Sequence, residues 1–166
     1  SYDVGHYIDA GNFSTVIEFG TKMQSDYDEM VQKVSINGGF YIGRYQSSLV
    51  NGKTRVVAGA ISMSASTSSA NMWYGLDKKQ KSFATDNELT SVESYMVWGS
   101  QYDAMMNWMA KNRVDVVATG TGNTTARTGN RSDLADKKNN VFDLYGGLHE
   151  CTVEARGWSN RVYRGG

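Results

Sequence analysis

The final stretch of the chain, Asn140 to Gly166, constrains the fold more than any other. It opens with a short apolar run around Val141 and Phe142 and turns at Gly146-Gly147. Leu148, Glu150 and Thr152 then alternate with His149, Cys151 and Val153, the two-residue period of a strand. A turn-forming segment, Gly157-Trp158-Ser159-Asn160, leads into a second alternating run, Arg161 to Arg164, and a closing glycine pair. The end of the chain is thus expected to double back on itself as two strands, with the upstream residues supplying what covers them. The sequence contains no proline. Every reversal of direction therefore falls to Gly, Asn, Asp or Ser, which reach left-handed or side-chain-bonded turn conformations.

A chain of 166 residues suits one domain with a sizeable core. No apolar run approaches the roughly 20 residues that span a bilayer, so membrane insertion is not expected. The chain starts Ser1-Tyr2-Asp3-Val4-Gly5-His6, without the basic-then-apolar order of a signal peptide. Net charge is zero and the two signs are mixed along the chain. That arrangement lacks the basic stripe of a nucleic-acid binder, and no nucleic-acid partner is expected. Cys151 is the single cysteine, so no internal disulfide forms. Gly, Ser, Asn and Tyr are abundant, with four Trp. Binding loops share that palette, and so do loop-rich domains that simply need turn residues.

Taken in order, Val16, Ile17 and Phe19 read as a short strand. Ser25 with Asp28 predicts a helix N-terminus. Tyr27, Met30, Val31 and Val34 then form one apolar face, closed by Asn37-Gly38-Gly39. Phe40 to Tyr45 reads as a strand, Asn51-Gly52 as a hairpin turn and Arg55 to Ile61 as the return strand. Gly52-Lys53-Thr54 looks like the end of a phosphate loop, but Ser47 stands where that motif needs a glycine, so the turn reading holds. A weaker helix is expected from Ser64 to about Lys81, with Ala65, Ser69, Met72 and Trp73 towards the core, followed by a polar connection over 82–94. Tyr95 to Trp98 is a short apolar run. Ser100 with Asp103 predicts a third helix whose core face is Tyr102, Met105, Met106 and Met109. The methionines read as adaptable packing, not a metal site. Thr119 to Asn130 reads as a long surface loop at a binding rim.

These segments, in this order, resemble the formylglycine-generating-enzyme (sulfatase-modifying-factor) family. The resemblance is carried by Ser25–Val34 leading to Gly38–Tyr45, by Tyr95–Met109, by Asn140–Thr152 and by Arg161–Gly166. In that family a segment of the form N-x-(Y/F)-D-(M/L)-x-G-N-(V/A)-x-E-W-T precedes R-V-x-R-G-G-S. The likeness spans about Ser25 to Gly166, strong in the last third and general over 62–92. It implies an α+β chain with a C-type-lectin-like fold, two to three helices around small antiparallel sheets, and long loops on one face. It also implies kinship with non-catalytic phage and gut-bacterial members, and with the variable binding proteins of diversity-generating retroelements. Catalytic members hold copper with a cysteine pair; here only Cys151 exists, standing where the motif has Trp, so the oxidase chemistry does not carry over. Gly147 replaces an Asn that helps hold calcium in the enzymes. No cofactor and no metal are therefore expected. The family continues past Arg-Gly-Gly-Ser, whereas this sequence ends at Gly166. The single domain 1–166 is accordingly expected to be a piece, to have a rebuilt end, or to be circularly permuted.

Several side chains could carry function. Cys151 as a nucleophile needs a base to form the thiolate, and His149 shares its strand face; the alternative is a small buried hydrophobe. His6 and His149 are too few for a zinc site. Asp143 and Glu150 form a candidate carboxylate pair, read as structural. Arg164 is expected to make a structural pairing. Trp158, Ser159 and Asn160, between the two final strands, are the candidate binding residues, because a loop aromatic on a rigid hairpin is an economical anchor. The expected function is a non-catalytic domain whose loop face binds a cell-surface protein or glycan, outside the cell or on a virion surface, with self-association left open. A copper-dependent oxidase and a structural virion or fibre domain are the alternatives.

Overall fold

The computed structural model describes residues 14–63, 72–112, 128–129, 137–144, 149–156 and 160–164. Helix α1 runs Val16–Asn37 and starts nine residues before the Ser25 expected. Its cap is Thr15, whose Oγ1 accepts from the Glu18 amide at 3.1 Å, while Glu18 Oε2 accepts from the Ser14 amide at 2.7 Å. The Thr15 contact satisfies one of the amides that the helix itself leaves open, worth about 1 kcal/mol, and the Glu18 contact takes up the amide of the residue before the cap. The strand expected at Val16, Ile17 and Phe19 is thus helix. Ser25 and Asp28 lie inside it and cap nothing. Phe19, Met23, Tyr27, Met30 and Val34 follow one another at helical spacing and face the core. Val31, expected on that face, is exposed. The helix ends as expected, with Gly38 left-handed at φ 71.

Residues 40–45 do not form the expected strand. Tyr41 is fully exposed and Ile42 partly so. Phe40 and Tyr45 are half-buried while residues 41–44 are exposed, so the pattern buries no continuous face, and among the described residues 40–45 belong to no ladder. The first hairpin lies just beyond, where β1, Ser48–Val50, pairs antiparallel with β2, Lys53–Arg55. Asn51 at φ 52 and Gly52 at φ 76 make its two-residue turn, so the turn reading of Gly52-Lys53-Thr54 is correct. The return strand is shorter than expected. Further along, Ser48 meets Ser62 in an isolated antiparallel bridge.

Helix α2 occupies Met72–Asp86 and so continues five residues past the expected end at Lys81. Its last turn is held from outside. Fully buried Thr54 gives its hydroxyl to the Lys79 carbonyl at 2.9 Å and its amide to Asp86 Oδ2 at 2.7 Å. Ser82 donates to Asp86 Oδ2 at 3.0 Å, and Arg55 reaches the Asp86 carbonyl at 2.5 Å. Glu88, left-handed at φ 57, turns the chain out of the helix. Ser64 to Ser69 and the side chains of Met72 and Trp73 lie outside the described residues.

Helix α3 spans Gly99–Lys111. Its N-terminal contact runs from the Trp98 amide to Gln101 Oε1 at 3.1 Å, not through Ser100 and Asp103. The core face is as expected: Tyr102, Met105 and Met109 are buried and Met106 packs beside them. A small hairpin follows. Lys137–Lys138 (β3) pairs with Val141–Phe142 (β4) across left-handed Asn139 and Asn140, at φ 48 and 65. The expected terminal hairpin is present: Glu150–Arg156 (β5) pairs antiparallel with Asn160–Arg164 (β6), with an irregularity between Cys151 and Ala155.

Among the described residues the architecture is therefore α+β, with three helices and three two-stranded antiparallel sheets. One apolar cluster joins Phe19 and Met30 of α1, Leu76 of α2, Met96, Trp98 and Val153 of β5. A second joins α3 to Leu144. Val153 donates its amide to the Val97 carbonyl at 3.0 Å, which ties β5 to the segment entering α3. No described helix is long and apolar enough to cross a membrane.

Candidate functional site

The chemistry-bearing residues of the last third converge with a segment from the first third. Asp143, only 2 % exposed, follows β4 in a left-handed conformation at φ 62. Its Oδ2 accepts from the Thr128 hydroxyl at 2.6 Å and from the Gly129 amide at 2.7 Å. The same Thr128 Oγ1 accepts from the Gln46 amide at 3.0 Å. Gln46 then extends its side chain to Glu150, Nε2 donating to Oε1 at 3.2 Å. A chain of polar contacts thus runs from Asp143 through Thr128 and Gln46 to Glu150, joining the 44–46 segment to residues 82 and 104 positions later in the sequence.

Backbone contacts fix the same junction. Thr128 exchanges two hydrogen bonds with the 59–60 segment: Gly59 N to its carbonyl at 2.7 Å and its own amide to the Ala60 carbonyl at 3.0 Å. Phe142 donates to the Arg44 carbonyl at 2.9 Å, and its ring stacks on Tyr45 at 4.9 Å between centroids. Gly129 is required here. It sits at φ 62, and a Cβ would meet the Tyr45 ring at 2.5 Å. Each buried polar group that finds a partner avoids a desolvation cost of about 1–3 kcal/mol, so the junction holds the loops in one arrangement.

Glu150 is the exception. Its Oε2 is buried without a hydrogen-bond partner. Burial pushes its carboxyl up to about 8, with the Asp143 charge adding to the rise and the Gln46 hydrogen bond opposing it. Cys151, half-buried on β5, has its thiol pushed up to about 11, by burial first and the Glu150 charge second. A thiol held protonated is a poor nucleophile and a poor ligand. His149 is exposed, with its ring 6.4 Å from Tyr163, which pairs with Cys151 across the hairpin.

Arg164 makes the structural pairing anticipated for it. Its Nε and Nη2 reach the two Glu154 oxygens at 2.9 and 3.0 Å, and its Nη1 reaches Asp103 at 2.7 Å. Glu154 lies against Gly99 at the start of α3, where a Cβ would fall 1.8 Å from its carboxyl carbon. A carboxylate there also complements the positive end of the helix. The pair thereby locks the terminal hairpin to α3.

Of the candidate binding residues, Trp158 and Ser159 lie outside the described residues. Asn160 opens β6 opposite Arg156, its side chain likewise outside the description. Both termini, and with them the distance that bears on permutation, also lie outside it. The structure does bring Asp143 and Glu150 together, as a shared scaffold with Thr128 and Gln46. Sequence reasoning missed the last two, although the glycine after Thr128 was a turn signal. Among the described residues no group of three or more His, Cys, Asp and Glu could hold a metal ion. No protein family, curated protein or solved structure matches this chain.

Proposed function

We propose that this chain is a non-catalytic binding domain with a C-type-lectin-like arrangement, whose loop face contacts a protein or glycan on a cell surface. Recognition on behalf of a phage or virus, or as a diversified binding protein at a bacterial surface, is the setting that the motif resemblance favours. One observation carries the reading. The residues that could do chemistry, Asp143, Glu150 and Cys151, are turned inward, where they hold loops together or stay protonated. Tyr41 and Trp108, by contrast, stand exposed in the way contact residues do. Trp158, Ser159 and Asn160, on the connection from β5 to β6, are the residues we assign to the contact surface.

The test is binding of the labelled chain to a panel of intact bacterial cells and immobilised cell-surface glycans. Saturable binding to one member of the panel supports the reading. The opposing outcome is a chain that binds none of the panel yet takes up Cu(I) tightly and consumes oxygen with thiol substrates. That result replaces the binder with an oxidase and returns Cys151 to a catalytic role.

A further inference from the structure

We propose that the groove bounded by α1, α2 and residues 92–98 binds a small organic ammonium ion with an apolar body, its charged end held by the carboxylate of Asp77.

The groove encloses about 430 Å³, within the range of small-ligand sites. Its inner wall is apolar. Met30 of α1, Ala84 of α2, Trp98 and Val153 of β5 line it, each less than a tenth exposed. The Trp98 ring is held edge-to-face against Tyr27, 5.3 Å between centroids, so this wall is formed before any guest arrives. Burial of an apolar body against it favours binding whatever the charge of the guest.

The rim sets the sign of that charge. Lys22 pairs with Asp26, and Lys33 is shared between Glu29 and Glu93. Lys81 pairs with Asp77 at 2.8 Å. Among the described residues that line the groove, four carboxylates thus face three ammonium groups, which leaves one negative charge in excess. The two kinds of group also differ in what they can still bond. A carboxylate has about four acceptor positions and takes a second donor without losing its first, whereas an ammonium has donors only. A cationic guest therefore adds to the existing pairs. An anionic guest must draw a lysine away from its carboxylate.

Asp77 is the carboxylate that suits an amphipathic guest. Its side chain is 11 % exposed, against 27 % for Asp26, 57 % for Glu29 and 67 % for Glu93. A charge-assisted hydrogen bond gains strength as water is excluded from it. Lys81, its partner, lies one turn further along the same helix and is 56 % exposed. Pairs of that kind hold weakly, so Lys81 can turn into water as a guest ammonium takes its place. This inference goes beyond the binding role of the loop face and does not depend on it.

The test is NMR of the full chain, labelled at its methionine methyls and indole nitrogens and titrated with three probes of one shape: 2-phenylethylammonium, 2-phenylethanol and 3-phenylpropanoate. The ammonium is expected to shift the Met30 methyl and the Trp98 indole saturably, and to bind at least about tenfold more tightly than the alcohol or the acid. Asp77→Asn is expected to remove that preference. Lys81→Met, a change at an exposed position, frees Asp77 of its competitor and is expected to tighten ammonium binding about two- to threefold. No saturable shift at Met30 and Trp98, equal or tighter binding of the alcohol or the acid, or ammonium binding unchanged or weakened in Lys81→Met overturns the proposal. Should Asp77→Asn fail to fold, the ranking of the three probes and the Lys81→Met titration decide.

Discussion

Gly129→Ala perturbs the junction at its tightest point, and two costs combine there. The first is a left-handed backbone at φ 62, which costs an L side chain about 1–2 kcal/mol, partly offset by about 0.4–1 kcal/mol from a stiffer unfolded chain. The second is steric. The new Cβ lies 2.5 and 2.7 Å from two Tyr45 ring atoms, so the ring must leave its stack on Phe142. Overpacking of that kind costs about 1–3 kcal/mol. Gly52→Ala is the control, because Gly52 has a similar φ of 76 but nothing within 4 Å of its Cβ. The expected losses are about 1 kcal/mol for Gly52→Ala and about 3 kcal/mol for Gly129→Ala. In a chain of this size these become falls in Tm of about 2–4 °C and about 6–12 °C. The assay is thermal and urea unfolding of both variants, then Gly129→Ala in a Tyr45→Ala background, where its cost should return to about 1 kcal/mol. Equal losses in Gly129→Ala and Gly52→Ala would falsify the packing of Tyr45 against the turn, and with it the junction.

Three further outcomes follow from the same contacts. Asp143→Ala leaves the Thr128 hydroxyl and the Gly129 amide without their acceptor and should cost about 2–4 kcal/mol in urea unfolding; a loss below about 1 kcal/mol contradicts the role given to Asp143. Gly99→Ala gains up to about 1 kcal/mol of helix propensity but sets its Cβ 1.8 Å from the Glu154 carboxyl carbon, an overpacking that costs about 1–3 kcal/mol and disturbs the pair with Arg164, so a net loss of about 1 kcal/mol is expected. The same change in a Glu154→Ala background should become stabilising, and a stabilising effect in the parent chain counts against the Glu154–Gly99 contact. Cys151 should react with iodoacetamide at pH 8 about a hundredfold more slowly than a free thiol, because its pKa is pushed up to about 11; a rate equal to that of the denatured chain contradicts its burial.

The parts of the fold that sequence reasoning reached are those governed by local periodicity. The methionine face of α3, the Asn51-Gly52 turn and the closing β5–β6 hairpin each announce themselves within a few residues. Helix α1 was also legible at its true start, since Thr15-Val16-Ile17-Glu18 has the Thr-x-x-Glu pattern of a helix N-terminus and Thr15 caps it. Its β-branched pair imitated a strand, and tertiary packing of Phe19 decided the matter. Phe40 to Tyr45 misled for the opposite reason, because a strand-like pattern forms no ladder without a partner. The junction itself was beyond local reading. Gln46 meets Thr128 and Glu150 across 82 and 104 residues, and only the folded chain sets those polar groups side by side.

The most direct test of a binding domain whose reactive groups serve its scaffold is cell binding of three folded proteins side by side: the parent chain, Cys151→Ala and Trp158→Ala. The account predicts that Cys151→Ala binds as the parent does, and that Trp158→Ala, truncated at the assigned contact surface, binds at least about tenfold more weakly. Full binding by Trp158→Ala, together with loss of function in a well-folded Cys151→Ala, contradicts it.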